Sequence, residues 1–274
     1  PCHYCGHAER APSRCPECGS RYVRYFGSGT EKVEDAVREL FPQYEATRVD
    51  LDSIRQKGEL KRKLKRFERG ETRILIGTQL IAKGLDFRNV GLVGIISADV
   101  SLNIPDFRSP ERAFQLITQA AGRAGRGDRI GRAIIQTYEP EHHAIGLAAA
   151  NDYETFYESE IKFREYMLYP PFSDIFQILF TSDLEENAKA GAEAWHESLI
   201  RKMSPEDAAN VFLPQQAYMS KIRETYRYSL IIKCPKGKRH AYAGLIWSIK
   251  QEERKKKGRN NYIAVVDINP YSFS

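Results

Sequence analysis

These 274 residues contain no Gly-x-x-x-x-Gly-Lys-Ser/Thr run, the loop whose backbone amides cradle phosphates. They contain no Asp-Glu dipeptide of the kind that opens a magnesium-binding box. No apolar run is long enough to cross a bilayer as a helix, and no secretory leader is visible, although a truncated N-terminus could hide one; the expected location is cytoplasmic. The chain opens on proline rather than methionine with a cysteine pair directly behind it, and therefore reads as part of a longer protein whose remainder lies upstream. Beyond residue 18 cysteine almost disappears, with Cys234 alone in a strand-like run where a small core residue is expected.

What is present describes a globular chain. Charged residues make up 28%, aromatics 11%, and the mean hydropathy is −0.52. The length is enough to bury a real core in two domains plus a small module. The formal net charge of +6 is a modest excess, so where it gathers matters more than its size.

The most informative stretch is Gln119-Ala-Ala-Gly122-Arg123-Ala-Gly125-Arg126. Ser109 reads as an N-cap, Pro110 as the first helical position, and Glu111 to Ala121 as a helix with Phe114, Ile117 and Ala121 on one face. Gly122 and Gly125 would then turn the backbone and let Arg123 and Arg126 project from the helix end. Guanidinium groups are permanently charged, planar, bidentate donors suited to the oxygens of a transferring phosphoryl group. The plain alternative is a pair of solvated arginines on a glycine-rich loop. Upstream, residues 73–87 read as a buried parallel strand (Ile74 to Ile76) running into a polar loop with Thr78, Lys83, Gly84 and Asp86. Ligands in open α/β sheets sit at the carboxyl ends of strands.

Together these two segments resemble the last two signature motifs of the second RecA-like lobe of superfamily 2 helicases. The resemblance implies that Thr78 and Lys83 face DNA, that Gly84, Asp86 and Gln119 face the nucleotide, and that Arg123 and Arg126 are catalytic arginine fingers. A nucleotide site with fingers but no phosphate cradle is half a site, so this chain alone should not hydrolyse ATP.

Four cysteines form two Cys-x-x-Cys-Gly knuckles, Cys2/Cys5 and Cys15/Cys18, whose glycines permit a tight turn aiming two thiolates at one metal. Structural zinc takes four such ligands tetrahedrally. Disulfides or reduced structural thiols are the other readings, and a cytosolic setting disfavours the former. His3 and His7 read as bystanders. With Gly27-Ser-Gly-Thr30-Glu31 and Asp106-Phe-Arg-Ser-Pro-Glu-Arg112, the cysteine pairs resemble the PriA-type primosomal replication-restart helicases along essentially the whole chain. In that family four cysteine pairs build two zinc sites inside the second lobe. The resemblance gives Cys2 and Cys5 to one zinc and Cys15 and Cys18 to the other, although the nine-residue gap does not forbid a single shared ion.

The remaining lobe alternates strands and helices. Thr30 can cap a helix with Val33, Val37 and Leu40 on one face, behind a Gly-Ser-Gly loop that is either a phosphate nest or merely a turn. Strands are expected at Thr47 to Leu51, Val90 to Ile96 and Arg132 to Thr137, and a basic amphipathic helix carries Leu60, Leu64 and Phe67. His142 and His143, at the start of a further helix, read as structural or exposed. Tyr169-Pro170-Pro171 marks a boundary. Beyond it the expected order is strand 175–181, helix 184–203, strand 211–213, strand 226–233, helix 239–256 and strand 263–268, the β-α-β-β-α-β succession of a ferredoxin-like domain. Thirteen Lys and Arg against three acidic residues between Lys221 and Arg259 give a local net of +10, suited to phosphate backbones or an acidic peptide tail. Arg223, Tyr226 and Arg227 combine guanidinium and aromatic groups that can hold unpaired bases, although strand aromatics are more often packed.

The fold class expected is thus α/β: a partial zinc module at 1–25, a RecA-like lobe 2 at 26–169, and an α+β ferredoxin-like DNA- and partner-binding domain at 170–274. The resemblance implies the C-terminal part of a monomeric ATP-dependent 3′-5′ DNA helicase that uses ATP, Mg2+ and Zn2+. Its implied partners are branched and single-stranded DNA, the acidic tail of the single-stranded DNA-binding protein, and other primosome proteins. A non-catalytic fork-binding module, or another superfamily 2 translocase, is the alternative.

Overall fold

The computed structural model describes residues 13–15, 18–21, 29–50, 53–54, 58–78, 81, 87, 89–125, 131–255 and 261–273. It divides into two compact units, residues 13–104 with 108–157, and residues 105–107 with 158–273.

The first unit begins with α1 (Thr30–Leu40), β1 (Ala46–Val49), α2 (Glu59–Glu68) and β2 (Ile74–Gly77). β1 and β2 pair in parallel, with Ala46 opposite Ile74 and Val49 opposite Gly77. Next along the chain come β3 (Leu92–Ile95), α3 (Asp99–Leu102), α4 (Ser109–Ala121), β4 (Arg132–Ile135), α5 (His143–Ala149) and the start of α6 (Tyr153–Tyr166), and β3 pairs in parallel with β4. Each parallel pair encloses the helix that the 3.6-residue apolar spacing announces, as a crossover requires. Phe114 and Ile117 of α4 bury their side chains against Ala144, Ile145 and Ala148 of α5 and Phe156 of α6, with Phe114 stacked on Phe156 at 4.2 Å.

Two local expectations are corrected here. Ser109 is the first helical residue rather than the cap, and its hydroxyl donates to the Ile104 carbonyl. Thr30 is likewise inside its helix, with Gly29 at the cap, and its hydroxyl donates to Asp50. Both hydroxyls find another acceptor, Asp50 for Thr30 and the preceding loop carbonyl of Ile104 for Ser109, which removes them from the capping role their residue type favours. The backbone turns at residues 122–125 as expected, with Gly122 at φ −65° and Gly125 left-handed at φ +77°.

The second unit is a single four-stranded sheet of order β6-β7-β5-β8. Its strands are β5 (Ser173–Ser182), β6 (Gln215–Ile222), β7 (Thr225–Pro235) and β8 (Ile263–Ile268), and every neighbouring pair is antiparallel. Helix α7 (Glu185–Lys202) and the short α8 (Pro205–Ala208) precede β6, and α9 (Arg239–Lys255) joins β7 to β8. Phe176, Ile178 and Phe180 of β5 and Tyr228, Leu230, Ile232 and Cys234 of β7 point to one face, as the two-residue period demands. There they bury against Trp195 and Leu199 of α7 and Tyr242, Ile246 and Ile249 of α9. Each large apolar side chain so buried contributes about 1.5–3 kcal/mol. Burial pushes the Cys234 thiol up to about 11, as a plain core position would. Helix α7 lies close because Gly191 has no side chain: a Cβ there would stand 2.6 Å from the Tyr262 ring. The strand expected at 211–213 is only a bridge from Val211 to Ile232, and the edge strand lies further on, at Gln215–Ile222.

Candidate functional site

In the first unit the chemistry-bearing residues sit at strand and helix ends. Thr78 comes directly after β2, and its carbonyl accepts from the Ile81 amide at 3.1 Å. The strand before it is held tightly, since a Cβ on Gly77 would come within 2.5 Å of the Val49 carbonyl oxygen. Lys83, Gly84 and Asp86 lie outside the described residues.

Gln119 is exposed on the last turn of α4. The turn after the helix is built by Arg123 N–H donating to Ala120 O at 3.0 Å and Ala124 N–H to Ala121 O at 3.0 Å. Gly125 then donates to Val90 O at 3.0 Å, which ties this turn to the entry of β3. Arg123 is half-buried in that turn, and Arg126 falls outside the described residues. Because α4 packs on β3 and β4, the end of the helix that bears Gln119 and Arg123 is fixed to the sheet.

Two buried acids at strand ends were not singled out in the sequence. Asp50, just past β1, is penalised by burial, but the Thr30 hydroxyl, the Ser53 amide and hydroxyl, and Arg48 outweigh that and hold its carboxyl below the ordinary range. Asp99, after β3, accepts from the Thr137 hydroxyl at 2.6 Å and the Tyr138 amide at 3.0 Å, and these likewise overcome its burial. An acid directly after an apolar strand was the signal available for Asp50; Asp99 stands four residues past β3, at the start of α3, and carried no such signal. The Gly27-Ser28 part of the possible phosphate nest lies outside the described residues, and Thr30 next to it is committed to Asp50.

Of the cysteines, Cys2 and Cys5 lie outside the described residues. Around Cys15 and Cys18 the backbone turns back on itself: Gly19, at φ +69°, donates to Cys15 O at 2.9 Å, and Cys15 N–H donates to Ser20 O at 2.8 Å. That geometry needs the left-handed residue which only glycine adopts freely.

In the second unit the predicted nucleic-acid residues come together on the β6–β7 hairpin. Arg223 and Glu224 form its two-residue tip, both left-handed at φ 47° and 63°. Lys221 pairs with Glu224 at 2.7 Å and sits 4.7 Å above the Tyr226 ring. Arg227 is desolvated, which lowers its pKa, and it donates to the Met219 carbonyl at 3.2 Å. On the sheet face away from α7 and α9, Lys233 is buried. It donates to Met167 O at 2.6 Å with its ammonium 3.7 Å from the Tyr169 ring centre. Tyr169 in turn stacks on Phe107 at 4.7 Å.

Similarity to known proteins divides along the same two units. Residues 21–128 match the helicase conserved C-terminal domain, and residues 165–271 match the primosomal protein N C-terminal domain. With its parallel strands, the first segment is the second, RecA-like lobe of a helicase. Replication restart protein PriA of Bacillus subtilis (strain 168) is 41% identical over 270 residues, 98% of this chain and 33% of the relative. The Treponema pallidum (strain Nichols) protein of the same name is 42% identical over 234 residues, 85% of this chain and 35% of its own length. The Haemophilus influenzae protein is 35% identical over 279 residues, 100% of this chain and 37% of its own. The chain belongs to the PriA family of replication restart proteins and spans about a third of the length of these relatives.

Proposed function

We propose that this chain is the C-terminal part of an ATP-dependent 3′-5′ DNA helicase that recognises stalled or branched replication forks and initiates primosome assembly. The observation that carries this reading is the Gln119–Gly125 stretch, whose helix end is fixed to a parallel sheet, within the segment that matches the helicase domain. Arg123 and Arg126 would donate to the γ-phosphate oxygens of ATP, while Gly84, Asp86 and Gln119 line the nucleotide side and Thr78 and Lys83 meet the DNA backbone. The phosphate loop and the magnesium ligands belong to a part of the protein outside these 274 residues. In the full-length protein Arg126→Ala should lower DNA-stimulated ATP turnover by about 10³-fold or more while leaving DNA affinity unchanged. Wild-type turnover in that variant sinks the finger assignment.

The zinc module is proposed to hold Zn2+ through Cys2, Cys5, Cys15 and Cys18. The reversed turn at Cys15–Ser20 supports it, because it fits a knuckle presenting two thiolates side by side. Elemental analysis of the purified chain should find zinc, and a metal-free chain with full thiol titration would remove it. For residues 170–274 we propose a ferredoxin-like fold, supported by the order β6-β7-β5-β8 with antiparallel neighbours and two crossover helices. The preceding boundaries fall at residues 25 and 169. Arg223, Tyr226 and Arg227 of this domain serve DNA binding, and its basic surface also suits the acidic tail of the single-stranded DNA-binding protein and other primosome proteins. We place the intact protein in the cytoplasm as a monomer.

A second reading is favoured by the missing phosphate loop: the chain by itself acts as a non-catalytic fork-binding and docking module. It should bind forked DNA and show no DNA-stimulated ATPase.

A further inference from the structure

Between Gln216, opposite Tyr228, and Lys221, opposite Tyr226, strand β6 carries four residues against the single Arg227 of β7. So long a bulge bends the strand away from its partner and re-aims its side chains. Ala217 stays buried, whereas Tyr218 in the middle of the bulge is 59% exposed. The space behind the bowed backbone is taken by Arg227, whose guanidinium meets the Met219 carbonyl at 3.2 Å. Beyond the bulge, Lys221 is held by Glu224 and the Tyr226 ring. The tip places Arg223 and Glu224 in the left-handed region, as a tight two-residue hairpin turn requires.

We propose that this bulge presents Tyr218 as the stacking surface for an unpaired base of single-stranded DNA. Lys221 and Arg223 contact the neighbouring phosphates, and Arg227 is the positioning residue that supports the bulge. The proposal rests on the reading of this domain as DNA-binding and names the kind of DNA and the residue that selects it. Exposure alone does not single Tyr218 out, since Tyr138, Tyr166 and Tyr271 are more exposed. It differs in being carried by a buttressed bulge with cationic side chains a few residues on. Entering a stacked duplex would cost a tyrosine the unstacking of a base step, whereas a base already unstacked meets it without that cost, and such stacking is sequence-tolerant.

The test is fluorescence anisotropy of the 274-residue chain with a labelled oligo-dT of about twenty nucleotides, long enough to span a typical single-strand site, and with a labelled blunt duplex. Tyr218→Ala should raise the Kd for oligo-dT about tenfold, Tyr218→Trp should restore it, and duplex affinity should stay within about twofold. Arg227→Met, which keeps bulk but removes the donor to Met219, should weaken oligo-dT binding in the same direction without changing its salt dependence. Arg223→Ala should weaken both ligands and reduce the salt slope. Wild-type oligo-dT affinity in Tyr218→Ala, or equal losses for both ligands, overturns the proposal while the DNA-binding reading of the domain stands. If the unmodified chain binds neither ligand, both fall together.

Discussion

The two units are built on opposite principles. In the helicase lobe the described strands are short parallel pairs of four residues each, and the candidate site residues ride on the segments just past an element's end: Thr78 after β2, Arg123 after α4. In the C-terminal domain the sheet is continuous, its central strands run ten and eleven residues, and the candidate DNA residues lie on the sheet's own hairpin. The first arrangement puts its candidate residues on segments beyond the strands and helices that form the scaffold. The second holds its ligand surface as part of the scaffold.

The contrast can be broken at the core. Trp195, 1% exposed and edge-on to Phe180 at 5.7 Å, lies in the larger of the two buried clusters among the described residues. Trp195→Ala should cost about 3–5 kcal/mol. Calorimetry should show the transition of the C-terminal domain lowered and that of the lobe unmoved; equal shifts of both would mean the units unfold as one. Gly191→Ala tests the same domain more gently. The added Cβ collides with the Tyr262 ring, and the expected cost is about 1–3 kcal/mol. In a Tyr262→Ala background that cost should largely disappear, and an unchanged cost would show the clash is relieved elsewhere.

The smallest effect sharpens the comparison from the side of the lobe. Asp50 has its folded pKa below the ordinary 3.8, so its stabilisation is fully present above that value and is lost as the pH falls through the folded one. Denaturant melts between about pH 6 and pH 3 should show the first unit losing stability more steeply in the unmodified chain than in Asp50→Asn. Parallel curves would mean that the bonds from Thr30 and Ser53 do not favour the charged form.

The sequence made the frame legible where one periodicity dominates. Helix α4 and strand β8 appear within a residue or two of their expected bounds, because Phe114 and Ile117 share a helical face and Ile263–Ile268 alternates cleanly. Edge strand β6 was missed for a physical reason: its bulge spoils the two-residue alternation from Ala217 to Ser220, while Val211 and Leu213 mimic a strand where only one bridge forms. Side-chain partnerships were less readable. The hydroxyls of Thr30 and Ser109 looked like caps, but Thr30 is used across the fold by Asp50 and Ser109 closes the loop before its helix by donating to the Ile104 carbonyl. Buried Lys233 counted as one more positive charge, yet it is enclosed by Tyr169 and the Met167 carbonyl, and burial lowers its pKa. In the candidate sites, residue types and order could be read in advance. Which arginine supports and which is presented could not, because that depends on the register of β6 against β7.

That register has a second consequence. β6 borders the sheet, and a regular border strand is a template on which another chain can add. Its interrupted ladder and the charges of Lys221 and Arg223 deny any incoming strand a continuous row of partners. The same irregularity that turns Tyr218 outward therefore makes this border a poor template for strand addition; deleting residues from the bulge should raise light scattering by the chain, and unchanged scattering would remove that role.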